Sequence, residues 1–126
     1  MRSALANLRV WGQFADRKLS EQELYDELKV WNLAHPFFST QLPVARFSTG
    51  MKRRLALARV ALSPKKLWLL DEPLFGLDSE AVNVFTKRLG QHIAAGGSAI
   101  VVSHDERIHR DLAHIKININ EFKESS

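Results

Sequence analysis

Apolar positions change their spacing twice along this chain. Leu5, Leu8 and Trp11 recur at helical intervals, and Leu24, Leu28 and Trp31 mark one face of a second helix. Ser20, with Glu23 three residues on, reads as a capping box that opens this second helix. Pro36 and Pro43 bracket the connector AHPFFSTQLPVAR, and each disfavours helix in the residue before it, which predicts an ordered surface loop. Helical spacing returns near Ser48, where Met51, Leu55, Ala58 and Leu62 form one stripe that Ser63-Pro64 closes.

Beyond Pro64 the texture changes. KLWLLDEP is a short apolar run without alternation that ends abruptly in two acids, which predicts a strand buried on both faces of a parallel sheet. A helix follows from about Ser79, with Val82, Phe85, Leu89 and Ile93 as its stripe, and stops at Gly96-Gly97, where glycine permits a left-handed cap. SAIVVSHD then repeats the strand design. Strand, helix and strand at this spacing predict a right-handed crossover that brings Asp71, Glu72 and His104 to one edge of one sheet. Near the end, Ile115, Ile117 and Ile119 alternate with polar residues and predict a short half-buried strand. The class is α/β, helices first and parallel strands after.

Composition narrows this picture only a little. The 126 residues are 45% hydrophobic, enough for one domain or part of one. Lys and Arg number 18 against 14 Asp and Glu, and the resulting +4 suits nucleotide or acidic lipid without choosing between them. Basic and aromatic residues do not interleave, so nucleic acid is not an expected partner. The lack of cysteine excludes disulfides and thiolate metal sites and permits a reducing compartment. No apolar run approaches the roughly 18 residues of a membrane span, and the first residues lack a signal-peptide core, so a soluble, unexported chain is expected.

The candidate chemistry lies at the strand ends and one helix start. Ligands of open parallel sheets bind beyond the carboxyl ends of the strands. There Asp71 suits magnesium, a hard cation that prefers carboxylate and water oxygens, while Glu72 is placed to polarise an attacking water and His104 to donate to a phosphate oxygen. The plainer reading, acids that keep a loop wet, fits a lone Asp-Glu but not two neighbouring polar strand ends. Ser48, Thr49 and Gly50 open a helix whose first turn carries Lys52, Arg53 and Arg54. Cations are repelled by the positive end of a helix dipole unless an anion sits nearby, so these residues could cradle a phosphate; taken singly they read as an ordinary serine N-cap, and only the order of the motifs downstream favours the cradle.

The order FSTGM, LWLLDEP, FGLD, VVSHD resembles the carboxyl-terminal half of an ABC-type ATPase nucleotide-binding domain, a P-loop NTPase fold. By that resemblance residues 1–46 form a helical subdomain, and residues 47–126 hold the signature helix, Walker B strand, D-loop and switch histidine. Phe47 to Met51 stand in the signature, Leu67 to Glu72 in Walker B, Leu77 and Asp78 in the D-loop, and His104 in the switch. The resemblance implies ATP and Mg2+ as cofactors, with Glu72 and His104 catalytic and Asp71 on the metal through water. Ser48, Thr49, Gly50 and Asp78 would contact nucleotide held by a second ATP-binding subunit. Within the family, ALANLRVWGQF, FSTGMKRRLALARV and LWLLDEPLFGLD are similar to the ATP-binding subunits of haem exporters for cytochrome c maturation. That implies a membrane-spanning transporter subunit as partner and a peripheral place on the cytoplasmic face of the inner membrane.

The chain also departs from the family. No GxxxxGK[ST] occurs, so the loop and lysine that hold β- and γ-phosphates are absent and the amino-terminal phosphate-loop half is missing. Thr49 and Met51 replace the usual glycine and glutamine of the signature. An isolated chain is therefore expected to be inactive as an ATPase and, if orphaned, cytoplasmic. The alternative function is a truncated, non-catalytic module that docks on a membrane subunit or a full-length homologue, with Trp11, Trp31, Phe37 and Phe38 as its face.

Overall fold

Helices lie on one face of a two-stranded parallel sheet, seen in a computed structural model that describes residues 2–14 and 18–111. In chain order these are α1 (Ala4–Phe14), α2 (Glu21–Val30), α3 (Thr49–Leu62), β1 (Leu67–Asp71), α4 (Ser79–Ala94), β2 (Ser98–Val102) and α5 (Glu106–Asp111). Short helical turns at Phe37–Gln41 and Val44–Arg46 precede α3. These turns replace the loop expected there. Pro36 sits at the start of the first and Pro43 just before the second, positions where a missing N–H costs nothing. The expected strand at Ile115 to Ile119 lies outside the described residues.

Each helix boundary has a local cause. Ser20 and Glu23 form the capping box of α2 in both directions. At its other end Asn32 takes a positive φ of 57°, and the N–H groups of Asn32 and Leu33 bond the carbonyls of Lys29 and Leu28, a Schellman closure. The α4 helix closes the same way: Gly96, at φ 93°, donates to Ile93, and Gly97 donates to His92. Arg9 pairs with Glu21 to join α1 to α2, and this hydrogen bond holds the Glu21 carboxyl below its ordinary range.

One apolar cluster spans the described chain from Ala4 to Ile108. Leu24 and Leu28 of α2, Leu55, Ala58 and Leu62 of α3, and Phe85 and Leu89 of α4 are buried in it, as their spacing predicts. Ile93, at the end of its stripe, remains exposed. Trp31 is buried and Trp11 packs partly buried against the cluster, so the four aromatic residues of the supposed docking face do not share an exposed surface.

Trp31 also anchors a polar network between helices. Its indole N–H donates to the buried Glu27 carboxylate at 3.0 Å, which Arg88 of α4 meets from the other side at 2.8 Å. Its backbone carbonyl accepts from Arg54 of α3 at 3.2 Å.

The strands pair in parallel, with Leu69 beside Ile100 and Asp71 beside Val102, and α4 connects them. Contrary to expectation, the sheet is buried on one face only. Trp68 and Leu70 point into the cluster, but Leu69 is 69% and Ile100 57% exposed on the other side. The sequence is written for two covered faces, and the described residues cover one.

Candidate functional site

Parallel pairing delivers Asp71 and Glu72 from β1, and Ser103 and His104 from β2, to the same end of the sheet. The backbone reverses sharply at Glu72. Its φ of 45° lies in the left-handed region, which costs an L-residue about 1–2 kcal/mol. Its N–H bonds the Val102 carbonyl at 2.7 Å, so the last rung of the sheet holds the turn. The carboxylate then points across to β2, accepting from the Ser103 hydroxyl at 3.3 Å and the His104 N–H at 3.1 Å. Ser103 Oγ in turn accepts from the Asp105 N–H. The His104 imidazole stands 3.9 Å from Glu72 and is 95% exposed, so it is anchored through its backbone while its ring faces outward. Asp71 is exposed beside them.

A rigid carboxylate, a free-standing imidazole and a second carboxylate beyond strand ends suit the orientation of water and phosphate. The donor set also bears on magnesium. Asp71 offers one hard ligand, and among the described residues there is no cluster of three His, Asp, Glu or Cys that could hold a metal. This fits a hydrated magnesium held mainly by water and phosphate oxygens.

The start of α3 forms a second part of the site. Ser48 caps the helix, accepting from the Met51 N–H at 3.1 Å, so the plainer reading of that serine is structurally true. The Thr49 and Gly50 N–H groups lie in the first turn, where an α-helix supplies no acceptor. Arg54 does not face the helix start as an anion receptor: it bonds the Gly50 and Trp31 carbonyls. The Trp31 carbonyl sits at the negative end of α2, which accounts for one of the three cations without any ligand. Lys52 is exposed.

Gly50 has a reason of its own. A Cβ built there would lie 2.9 Å from the Gly76 carbonyl oxygen, so the turn Pro73 to Leu77 is packed directly on the start of α3. Gly76 itself has φ 77°. Asp78 follows and caps α4, accepting from the Ala81 N–H at 2.9 Å. Among the described residues no hydrogen bond or ion pair joins Ser48, Thr49 or Gly50 to Asp71, Glu72 or His104. The structure thus keeps the two candidate groups apart. Sequence reasoning did not single out Ser103, Gly76 or Arg54 for these tasks; Ser103 was discoverable from its place beside His104, but the other two depend on contacts distant in sequence.

The family model described as ABC transporter matches residues 4–75, more than half of the chain. The chain belongs to the ABC transporter family. It is 45% identical over 102 residues to the "Cytochrome c biogenesis ATP-binding export protein CcmA" of Bordetella parapertussis, a match covering 81% of this chain and 44% of that protein. The protein of the same name from Histophilus somni is 35% identical over 120 residues, covering 95% and 54%. This ABC chain thus spans about half the length of the curated relatives it matches. An ATP-binding cassette solved as a dimer bound to ADP and Pi superposes with a TM-score of 0.70 at 24% identity, over 86% of this chain and 48% of that one. A second dimeric cassette, from a bacterial ABC transporter, gives 0.66 at 25% over the same shares. Those likenesses establish an α/β ABC cassette fold for the described part. No helix of the described residues is long and apolar enough to cross a membrane.

Proposed function

We propose that this chain supplies the signature and Walker B half of an ATP-hydrolysing cassette that drives a haem exporter for cytochrome c maturation. The observation that carries the proposal is the Glu72 carboxylate, fixed by Ser103 and the His104 N–H at the end of the parallel strands, in a member of the ABC family. The haem assignment is supported by the likeness to the cytochrome c biogenesis relatives.

In this reading Glu72 accepts a proton from the attacking water, and its fixed orientation lowers the cost of positioning that water. The exposed His104 ring donates to the γ-phosphate. Asp71 would hold Mg2+ through water, and the ion supplies charge neutralisation on the phosphates. Thr49 and Gly50 N–H groups, with the exposed Lys52, receive the γ-phosphate of nucleotide gripped by a second subunit. Asp78 borders that interface while capping α4. These 126 residues hold no GxxxxGK[ST], so in this reading the phosphate grip on the nucleotide comes from outside them. Its partners are that second ATP-binding subunit and a membrane-spanning subunit, and its place is the cytoplasmic face of the inner membrane.

The cradle is tested with Ser48→Asp rather than with a change at Gly50, where any side chain meets Gly76. Aspartate caps a helix as well as serine does, yet sets a negative charge where phosphate would sit. ATP-dependent pull-down of the full-length Bordetella relative is expected to be lost in Ser48→Asp with the circular dichroism unchanged. Wild-type capture by that variant would show the helix start to be capped and nothing more.

A further inference from the structure

Two hydrogen bonds end on different oxygens of Glu72. Its Oε1 accepts from the His104 N–H at 3.1 Å and its Oε2 from the Ser103 hydroxyl at 3.3 Å. The first donor is backbone and would be there whatever side chains follow β2; the second exists only because residue 103 carries a hydroxyl. Among the described residues Ser103 is the only side chain that hydrogen-bonds Glu72, since the His104 ring stands off at 3.9 Å. The direction of that hydroxyl is set as well. A serine hydroxyl has one proton to give and accepts at its lone pairs. The Asp105 N–H, 3.0 Å away, takes the accepting side and turns the proton toward Glu72. Asp105 is held in turn, its carboxylate accepting from the Arg107 N–H at 3.0 Å and from the Arg107 guanidinium at 2.6, 2.9 and 3.2 Å.

A carboxylate held at one oxygen can swing about that bond, whereas one held at both keeps a single plane. Packing does not supply the second constraint, because the Glu72 side chain is 38% exposed. The left-handed φ of 45° also takes Glu72 out of the regular alternation of β1, so its direction is left to its own bonds. We infer that Ser103 is a positioning residue for Glu72: its hydroxyl, aimed by the Asp105 N–H, fixes the plane in which the carboxylate meets the attacking water. This deepens, and rests on, the reading of Glu72 as the base. The competing role, a serine that only shapes the turn into α5, needs the Asp105 N–H bond alone and predicts no effect on Glu72.

The test separates these roles in the full chain. In isotope-labelled protein, three-bond couplings from Glu72 Cγ to its own backbone nitrogen and carbonyl carbon report the χ1 rotamer. They should show one staggered rotamer in the wild type and in Ser103→Thr, which keeps the hydroxyl, and averaged values in Ser103→Ala, with the far-UV circular dichroism alike in all three. In the cassette completed by a partner that carries the phosphate loop, Ser103→Ala should lower kcat by about 10- to 100-fold with KM for ATP kept within about twofold, the pattern of a misplaced reacting group, and Ser103→Thr should restore it. Unchanged Glu72 couplings in Ser103→Ala, no recovery in Ser103→Thr, or a loss confined to KM would each overturn the inference. If Glu72→Gln keeps full turnover, the reading of Glu72 as base fails, and the couplings alone then decide whether Ser103 holds that side chain.

Discussion

Replacing Gly50 by alanine should destabilise the chain, against the usual expectation for glycine in a helix. A helical Gly→Ala change ordinarily stabilises by about 0.5–1 kcal/mol, because glycine loses more backbone freedom on folding. At Gly50 the new methyl would stand 2.9 Å from the Gly76 carbonyl oxygen, closer than carbon and oxygen pack. The obstacle is backbone, in a turn that the αL residues Glu72 and Gly76 already constrain, and cannot rotate away like a side chain. Overpacking of this kind costs about 1–3 kcal/mol, so after the propensity gain a net loss of up to about 2.5 kcal/mol remains. Gly90 is the internal control: it lies inside α4, and its added methyl meets nothing within 4 Å, so Gly90→Ala should gain about 0.5–1 kcal/mol. Urea unfolding followed by circular dichroism, at protein concentrations low enough to avoid association, measures both. If Gly50→Ala raises the midpoint as Gly90→Ala does, the turn is not packed on α3 in solution.

Two further outcomes test the site and its support. In a cassette completed by a partner that carries the phosphate loop, Glu72→Gln should lose turnover while retaining nucleotide, measured by phosphate release beside nucleotide binding, because the carboxylate acts on water and not on ATP; full turnover would remove Glu72 from the chemistry. Arg88→Met should cost about 2–3 kcal/mol in the same urea titration, since it strands a Glu27 carboxylate that is 6% exposed. Glu27→Gln with Arg88→Met, which removes the charge but keeps an acceptor for the Trp31 indole, should recover most of that loss, and a double variant as unstable as the single one would refute the account.

The helices were legible because their signals are local. The spacing of Leu24 and Leu28, the Ser20–Glu23 pair and the Gly96-Gly97 stop each need one turn of chain to act, and each formed as read. Asp71, Glu72 and His104 were likewise placed at one sheet end by the strand, helix, strand order. What escaped depends on distance through space. The run LWLL states that both faces should be covered but not what covers them, so the bare side of β1 was invisible. The cluster Lys52 to Arg54 looked like one anion receptor because nothing in it reveals that Arg54 reaches a carbonyl 23 residues away. Proline spacing marked the connector before α3 as a break, yet five residues after Pro36 were enough for a helical turn of their own.

The double attachment at Trp31 makes the front helices a lever. Its carbonyl is tied to α3 and its indole, through Glu27, to α4, so a push that tilts α2 pulls on the helix bearing Ser48 and the helix capped by Asp78 together. These helices begin at opposite sides of the Gly50–Gly76 contact, which resists their separation. A force applied at the surface of α2 would thus reach the amino-terminal end of α3 through these bonds and not through the loop that precedes it.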